Sequence, residues 1–282
     1  MERAFGTLND TLSGQPERRR CWITGGSSGI GRELAKELAA KGFVVAVTAR
    51  EEDHIGMLIA ETASLPGRIV AFPCDVTDEQ GMANAVVAIE ADLGPIALAV
   101  FNAGSYTQVA GDNLSVRKFR RTFDVNVMGI VHGLVPTVKF MRKRGRGHIV
   151  MVGSISAYFG WPTTAAYGAT KAAINVMAQS LKFDLDKLNI RVQVMNPGFI
   201  DTPMTQKNGV RLPAVISSTC AAGRMMRGIE TGGFEITFPR RFTLWLKVLG
   251  MLPHPLRHWF LNRMTGWGDR PLSFGRKPRQ PI

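Results

Sequence analysis

The amino-acid sequence predicts an α/β protein built on a doubly wound parallel sheet of about seven strands. Two observations support this fold class. From residue 20 onward, short and almost wholly apolar segments alternate with amphipathic ones, and the first apolar segment leads directly into a glycine-rich turn at 24–31. Continuous apolar strands are typical of a sheet that helices cover on both faces. Alternating strands and helices imply right-handed crossovers between parallel strands, and such a sheet binds ligands at the carboxyl ends of its strands.

The elements follow in order along the chain. The predicted strands are RCWIT (20–24), FVVAVTA (43–49), RIVAF (68–72), IALAVF (96–101), HIVMV (148–152), IRVQVM (190–195) and FEITF (234–238), the last as an edge strand. A helix follows the glycine turn, where Ile30, Leu34 and Leu38 recur at a spacing of four. Further helices are predicted near 51–64, 79–92, 115–143 and 163–187.

With 282 residues, of which 45% are hydrophobic and 20% charged, the chain can bury the core of one large domain with an appendage. We divide it into an N-terminal extension (1–18), a dinucleotide-binding and catalytic domain (19–238) and a basic amphipathic appendage (239–282). The first 20 residues hold no apolar run long enough for a signal-peptide core, so a cytoplasmic location is expected.

The three cysteines, Cys21, Cys74 and Cys220, lie far apart in apolar surroundings. This spacing favours neither a disulfide framework nor a zinc site, and it fits a reducing compartment.

The net charge of +13 is unevenly distributed. Residues 240–282 contain nine Lys or Arg residues against the single acid Asp269, so most of the excess lies in the appendage. A basic segment of this kind can contact nucleic acid, an anionic membrane surface or only solvent.

The segment AAYGATKAA at 165–173 places a tyrosine and a lysine four residues apart among alanines. Alanine favours a helix, and residues i and i+4 share a helix face, so Tyr167 and Lys171 should point the same way. A nearby ammonium lowers the pKa of a phenol from its usual value of about 10. The pair can therefore be a tuned general acid, although an isolated Tyr and Lys at this spacing can also occur by chance on a surface helix.

The turn TGGSSGIGRELA (24–35) has glycines at 25, 29 and 31, in the spacing GxxxGxG. Glycine permits the tight turn and lets the backbone approach a pyrophosphate, whose charge then lies at the helix N-terminus.

Six motifs in order resemble the short-chain dehydrogenase/reductase family over about residues 18–238. They are TGGSSGIG, FNAG (101–104), DVNVMG, GSIS (153–156), YGATK and NPGFIDTPM (196–204). The glycine spacing and the modest length point to the compact single-domain branch of that family, which has a Rossmann-type fold.

The resemblance implies a role for each matching residue. Tyr167 is expected to donate a proton to a carbonyl oxygen in reduction and to accept one in oxidation, and Lys171 to lower the pKa of Tyr167 and hold the nicotinamide ribose. Ser154, 13 residues before the tyrosine, would hydrogen-bond the substrate oxygen, and Ser156 is the weaker candidate by that spacing. Asn126 would complete a proton relay through water to Lys171.

The cofactor is expected to be NADP(H), because the second strand ends at Arg50 and a guanidinium suits a 2′-phosphate. Glu51-Glu52-Asp53 follows at once and could pair with Arg50 instead, while the second basic position that some NADP-binding members carry is Ser28 here. Asp75 is expected near the adenine, and Ile200 and Thr202 at the carboxamide. The complete set of expected cofactor-binding residues is Gly25, Ser27, Ser28, Gly29, Ile30, Gly31, Arg50, Asp75, Val76, Asn102, Ala103, Gly104, Tyr167, Lys171, Pro197, Gly198, Ile200 and Thr202. The segment 203–217 is expected to be a mobile substrate lid.

The appendage contains two apolar sets at helical spacing: Phe242, Trp245, Leu246 and Leu249, then Leu256, Trp259, Phe260 and Met264. Helices of about 10–13 residues are too short to span a bilayer. With basic residues opposite, 240–264 could lie in a membrane interface, pack on the core or close a dimer. His254 and His258 are four apart but lack an evident third ligand, so no metal is expected. The closing GRKPRQPI is expected to be a disordered, solvated end.

Taken together, these observations predict an NADP(H)-dependent oxidoreductase that reduces an aldehyde or ketone, or oxidises the alcohol, in the cytoplasm at or near a membrane face. A similar tail in family members that act on long-chain aldehydes favours a lipophilic substrate. Two alternatives stay open: a reductase of soluble keto-compounds, and a non-catalytic dinucleotide-binding regulator. A homodimer or tetramer through the two long helices is expected, and no nucleic-acid partner.

Overall fold

The computed structural model describes residues 19–202, 205 and 214–270. Its central sheet has seven strands, all parallel, in the order β3-β2-β1-β4-β5-β6-β9. These strands are β1 (Arg20–Thr24), β2 (Val44–Thr48), β3 (Arg68–Ala71), β4 (Leu98–Phe101), β5 (Gly147–Val152), β6 (Ile190–Pro197) and β9 (Glu235–Phe238). All seven predicted strands are confirmed, with β9 at the edge.

Helices connect the strands and cover both faces of the sheet. They are α1 (Gly29–Ala40), α2 (Glu52–Glu61), α3 (Glu79–Asp92), α4 (Val116–Phe123), α5 (Gly129–Arg144), α6 (Ala165–Leu185) and α7 (Ser218–Thr231). Apolar side chains of α1, α2 and α7 form one buried cluster with the sheet, and those of α3, α5 and α6 form another on the opposite face. The predicted doubly wound Rossmann-type fold is therefore confirmed.

Three local features differ from the sequence prediction. The helix expected over 115–143 is interrupted by a π-helical segment at Asp124–Met128. The second is a small parallel sheet of two strands, β7 (Ile200–Asp201) and β8 (Ile216–Ser217). The third is helix α7, which follows β8 and was not predicted. Two-residue strands are too short to show any periodicity, which is why the pattern did not predict them.

The appendage forms two helices of 12 residues each, α8 (Arg240–Met251) and α9 (His254–Thr265). Leu246, Leu249 and Leu261 are buried against Ile155 and Phe159, which follow β5. The appendage therefore packs on the α/β domain beside the carboxyl end of β5. The predicted extension 1–18, most of the predicted lid 203–217 and the closing segment GRKPRQPI lie outside the described residues.

Candidate active site

The turn between β1 and α1 forms the floor of a cleft at the carboxyl edge of the sheet. Gly25 and Gly29 have φ angles of +66° and +54°, in the left-handed region that favours glycine. A Cβ at Gly31 would lie 2.4 Å from both Gly25 O and Asn102 Nδ2. Because α1 begins at Gly29, its free N–H groups face this turn, where a pyrophosphate can be bound. The glycine spacing therefore builds a cradle that larger residues would fill.

The cleft above this turn has a volume of ≈ 310 Å³. Most of the sequence-predicted residues line it: Gly25, Ser27, Ser28, Gly29, Ile30, Arg50, Asp75, Val76, Asn102, Ala103, Gly104, Ser154, Tyr167, Lys171, Pro197, Gly198, Ile200 and Thr202. Two predicted residues lie behind the wall, since Gly31 faces Asn102 and Asn126 is fully buried. The fold thus brings the motifs together, and the individual roles stay predictions.

The wall at the β2 end of the cleft carries positive charge. Arg50 is exposed and its Nη2 lies 3.2 Å from Glu51 Oε1, the pairing that the sequence left open. Arg121 also lines the cleft, although sequence analysis did not single it out. The available signal was the composition of α4, VRKFRRTF, which has four Lys or Arg residues in eight positions. Arg117 and Arg120 extend this basic surface along an adjoining hollow of ≈ 660 Å³.

Tyr167 and Lys171 lie on the first turns of α6, as their spacing predicts. Lys171 Nζ donates to Val152 O at 2.8 Å and lies 5.5 Å from the centroid of the Tyr167 ring. Burial lowers the pKa of Lys171 to about 8. Burial also raises the pKa of Tyr167 to about 12, with a smaller raising effect from Tyr106, and outweighs the lowering effect of a hydrogen bond with Ser154.

Burial sets the direction of the Tyr167 shift, and the expected lowering of this pKa by Lys171 stays a prediction. The ammonium of Lys171 is directed at a backbone carbonyl rather than at the phenol, so desolvation of the phenolate dominates. Tyr167 therefore holds its proton at neutral pH, which is the state that a proton donor requires.

Ser154 lies two residues after the end of β5, where its backbone is extended, with φ −173° and ψ 158°. Its N–H donates to Asn196 Oδ1 at 2.9 Å, and its Oγ accepts from Ser156 N at 3.1 Å. Ser154 lines the cleft and Ser156 does not, and the role of Ser154 toward a substrate stays a prediction.

Asn126 lies in the π-helical segment between α4 and α5. Its Nδ2 donates to Ser105 O and Thr170 Oγ1, both at 3.0 Å, and its Oδ1 accepts from Ser105 N at 2.7 Å. These bonds hold the loop after β4 beside α6. A Cβ built on Gly104 would lie 3.5 Å from Asn126 Oδ1 and 3.7 Å from Lys171 Nζ, so the two side chains flank Gly104. The expected relay through water stays a prediction.

The loop after β6 crosses the glycine turn. Gly198 N donates to Phe238 O at 2.8 Å, which fixes the loop to β9. A Cβ on Gly29 would lie 3.4 Å from the methyl carbon of Thr202. The expected carboxamide-binding loop and the pyrophosphate cradle therefore lie against each other.

Two sets of aromatic contacts that sequence analysis did not identify lie next to residues of the cleft. Tyr106 meets Tyr167 edge to face, with centroids 5.2 Å apart. Beyond the loop after β6, Phe199 contacts Trp161 at 6.1 Å and Phe242 of α8 at 6.0 Å. The contacts of Phe199 therefore connect the loop after β6, which borders the cleft, with the appendage.

Within 19–202, 205 and 214–270, no group of three or more His, Cys, Asp or Glu side chains could hold a metal ion. Over the same ranges, no helix is both long and apolar enough to cross a membrane.

Residues 19–211 match a family model described as short chain dehydrogenase. Among characterised and uncharacterised relatives, an uncharacterized oxidoreductase of Myxococcus xanthus is 31% identical over 238 residues, covering 84% of this chain and 94% of the relative. A 3-oxoacyl-(acyl-carrier-protein) reductase of Mycobacterium bovis is 32% identical over 215 residues, covering 76% and 83%.

Solved structures of oxidoreductases also resemble this chain. A gluconate 5-dehydrogenase of Burkholderia cenocepacia, in complex with NADP and tartrate, has a TM-score of 0.64 at 26% identity and covers 67% of this chain and 74% of its own. A 3-oxoacyl-(acyl-carrier-protein) reductase of Brucella melitensis with bound NAD has a TM-score of 0.69 at 25% identity, covering 83% and 94%. Similar proteins therefore bind either nicotinamide cofactor.

Proposed function

The chain belongs to the short-chain dehydrogenase family of oxidoreductases, and from this premise we propose that it is an NADP(H)-dependent carbonyl reductase, or the reverse alcohol dehydrogenase, with a lipophilic substrate such as a long-chain aldehyde. The observation that carries the proposal is the position of Ser154, Tyr167 and Lys171 in one cleft with the glycine cradle. The presence of all three side chains disfavours the alternative of a non-catalytic regulator.

In the proposed mechanism the nicotinamide, when bound, supplies or accepts the hydride. The protein binds and orients the carbonyl and moves one proton. Ser154 Oγ holds the substrate oxygen, where negative charge develops during reduction. Tyr167 Oη gives its proton to that oxygen, and its raised pKa keeps the phenol protonated until then. Lys171, as an ammonium beside Tyr167, stabilises the phenolate that remains and binds the ribose.

The preference for NADP(H) is supported by charge at the β2 end of the cleft. Arg50 is exposed and can exchange its contact with Glu51 for a phosphate, since an exposed ion pair contributes little free energy. Arg121 supplies a second guanidinium to the same cleft. Arg121 can contact the 2′-phosphate in place of a basic residue in the glycine turn, where this chain has Ser28.

The preference for a lipophilic substrate is supported by the aromatic cluster that adjoins the cleft. The rings of Phe199, Trp161 and Phe159 lie beside the loop expected at the nicotinamide and are packed in sequence, at 6.1 and 5.2 Å. An alkyl chain that extends from the cleft toward this cluster would gain apolar contacts that a hydrated keto-acid would not. A reductase of soluble keto-compounds is the competing proposal.

The appendage supports a membrane contact. Eight large apolar side chains, which we call the tail surface, are exposed on α8 and α9: Leu244, Trp245, Val248, Met251, Leu256, Trp259, Phe260 and Met264. The predicted apolar faces are thus divided, since Leu246 and Leu249 pack inward while Trp245 and the whole second set face outward. The exposed tryptophans suit a membrane interface.

We propose an anionic lipid surface as the occupant of the tail surface. Residues 240–270 carry six Lys or Arg and only one acid, Asp269. This charge attracts anionic headgroups and would repel a second copy of the same surface, so a dimer through the tail is disfavoured. A homo-oligomer is instead proposed through the long helices α5 and α6, where Val135, Val176 and Phe183 are exposed.

The test of the proposed function is oxidation of NADPH and NADH by the purified protein with aldehydes and ketones of increasing chain length. We expect NADPH to be preferred and kcat/KM to rise with chain length. Equal rates for short keto-acids and long aldehydes would favour the soluble-substrate alternative. A folded protein that binds NADPH but reduces no carbonyl in the series would contradict the proposal.

A further inference from the structure

A chain of hydrogen bonds connects Ser154 with helix α8 of the appendage. Ser154 N donates to Asn196 Oδ1 at 2.9 Å, and Asn196 Nδ2 donates to Glu235 Oε1 at 2.9 Å. The second carboxylate oxygen, Glu235 Oε2, accepts from Lys247 Nζ. Side chains of β6, β9 and α8 are thereby linked in series behind the candidate active site.

The network fixes the orientation of the Asn196 amide. A carboxylate only accepts hydrogen bonds, so Glu235 selects the orientation in which the NH₂ group of Asn196 faces it. The carbonyl oxygen of Asn196 is then directed at Ser154 N. Asn175 matches this orientation, since its Oδ1 accepts from Asn196 Nδ2 at 2.7 Å and its Nδ2 donates to Asn196 Oδ1 at 3.0 Å.

Close packing leaves Asn196 little room to move. Its side chain is fully buried. A Cβ on Gly153, the residue before Ser154, would lie 2.2 Å from Asn196 Oδ1. Glycine at 153 therefore permits the approach that lets Asn196 hold the backbone of Ser154.

Hydrogen bonds to both carboxylate oxygens stabilise the negative charge of Glu235. Burial alone would raise its pKa, but hydrogen bonds from Lys247, Tyr158 and Asn196 outweigh burial and lower it. Tyr158 Oη donates to Glu235 Oε1 at 2.6 Å, and Lys247 Nζ lies 5.5 Å from the centroid of the Tyr158 ring. The carboxylate is therefore ionised at neutral pH, and one of its three partners belongs to the appendage.

We infer that Glu235 is a positioning residue for Ser154, acting through the Asn196 amide, and that Lys247 holds Glu235 in place from the appendage. The inference rests on the proposed function, because it takes Ser154 as the group that binds the substrate oxygen. The appendage thus supports the reaction although none of its described residues lines the cleft.

The test is a double-mutant comparison of Ser154→Ala, Glu235→Ala and the two combined. Displacing a reacting group by a fraction of an ångström is enough to slow a reaction, so Glu235→Ala should lower kcat about ten- to a hundredfold with little change in the KM for NADPH. In the Ser154→Ala background the same change should lower the residual kcat less than about twofold, because the group that it positions is already absent.

Conservative variants separate positioning from general stability. Glu235→Gln keeps an oxygen that can accept from Asn196 and should recover most of the wild-type kcat. Lys247→Met should lower kcat about threefold in the wild type and leave it unchanged in the Ser154→Ala background, since Glu235 then loses one partner of three. Lys187→Met breaks an exposed pair with Asp184 on α6's far end and is the matched control, with no change in kcat expected.

The outcomes are distinguishable. If Ser154→Ala retains full activity, the proposed function fails. If Ser154→Ala is impaired while the losses from Glu235→Ala and Lys247→Met are the same in both backgrounds, or are absent, only the positioning role is wrong. Should Glu235→Ala fail to fold, as judged by circular dichroism, the comparison of Lys247→Met in the two backgrounds decides the question.

Discussion

The cleft and the appendage differ in which side chains they bury and which they expose. Around the cleft, polar side chains are buried within hydrogen-bond networks, as Asn126 is with Ser105 and Thr170. In the appendage, large apolar groups are exposed, with Trp259 at 61% and Met251 at 81% of their accessible area. Buried polar groups and exposed apolar patches are the informative exceptions to ordinary burial. We therefore propose that the cleft is organised for chemistry inside the protein and the appendage for contact outside it.

The first prediction is the largest and tests the cleft. Tyr167→Phe removes the hydroxyl group and with it the transferred proton, so kcat for carbonyl reduction should fall by about a thousandfold or more, within the range for loss of a general acid. NADPH affinity, measured by fluorescence titration, should change less than about twofold. A variant that keeps its turnover would contradict the assignment of Tyr167. The control is Trp259→Ala, which lies on the tail surface and should leave kcat for a short aldehyde unchanged.

The second prediction concerns cofactor choice at the β2 end of the cleft. Arg50→Asp removes a charge-assisted contact with the 2′-phosphate and adds repulsion, so the NADPH/NADH ratio of kcat/KM should fall about ten- to a hundredfold. Arg121→Gln should lower the same ratio by a smaller factor, and the double variant should prefer NADH. An unchanged ratio in both single variants would remove the argument for NADP(H). Arg146→Gln, elsewhere on the surface, is a control for general loss of positive charge.

Most of the cleft could be predicted from the sequence because its chemistry restricts residue type. Only glycine fits the left-handed turn at Gly25 and the close approach at Gly31. Tyr167 and Lys171 are separated by one helical turn. These are local constraints, and they appear as short motifs at fixed spacing. The seven strands were equally visible because helices cover both faces of the sheet and leave the strands continuously apolar.

The remaining features depend on tertiary contacts that no short pattern records. The direction of the Tyr167 pKa shift depends on burial and on where the Lys171 ammonium points. Arg121 reaches the cleft only because α4 packs beside it, and Tyr106 meets Tyr167 across a loop. In the appendage, helical spacing predicted two apolar faces, but it could not tell that Leu261 would be buried and Phe260 exposed.

The third prediction is a pH dependence set by Lys171. Burial lowers its pKa to about 8, so the ammonium is present below that pH and is lost as the pH rises through it. The kcat/KM for NADPH, which reports the free enzyme, should therefore decrease above about pH 8, by about tenfold per unit. Lys171→Arg keeps its charge at every working pH and should remove this inflection, whatever its absolute rate. A wild-type profile that is flat from pH 7 to 10 would contradict the assignment.

The fourth prediction has the smallest expected effect and tests the appendage. Wild-type protein should float with vesicles that contain anionic lipid, and less with zwitterionic vesicles or at high salt, because electrostatic attraction assists insertion of the apolar side chains. Replacing Trp259 and Phe260 together by Ser should weaken partitioning about tenfold or more, since each side chain contributes more than 1 kcal/mol on burial in an apolar phase, by a rough estimate. Turnover of a short, water-soluble aldehyde should be unaffected.

The matched control for this variant is Met57→Ser, which removes an apolar side chain of similar exposure, 56%, from helix α2. Loss of vesicle binding in both variants would indicate a general effect of surface polarity rather than a tail surface. Failure of the wild type to float with any vesicle, together with gel filtration showing a larger assembly that the Trp259/Phe260 variant cannot form, would assign the tail surface to protein contact. In that case the repulsion between basic segments, on which the choice of lipid rests, must be overcome by the apolar area that a dimer buries. Flotation at two salt concentrations therefore decides which of the two forces governs the appendage.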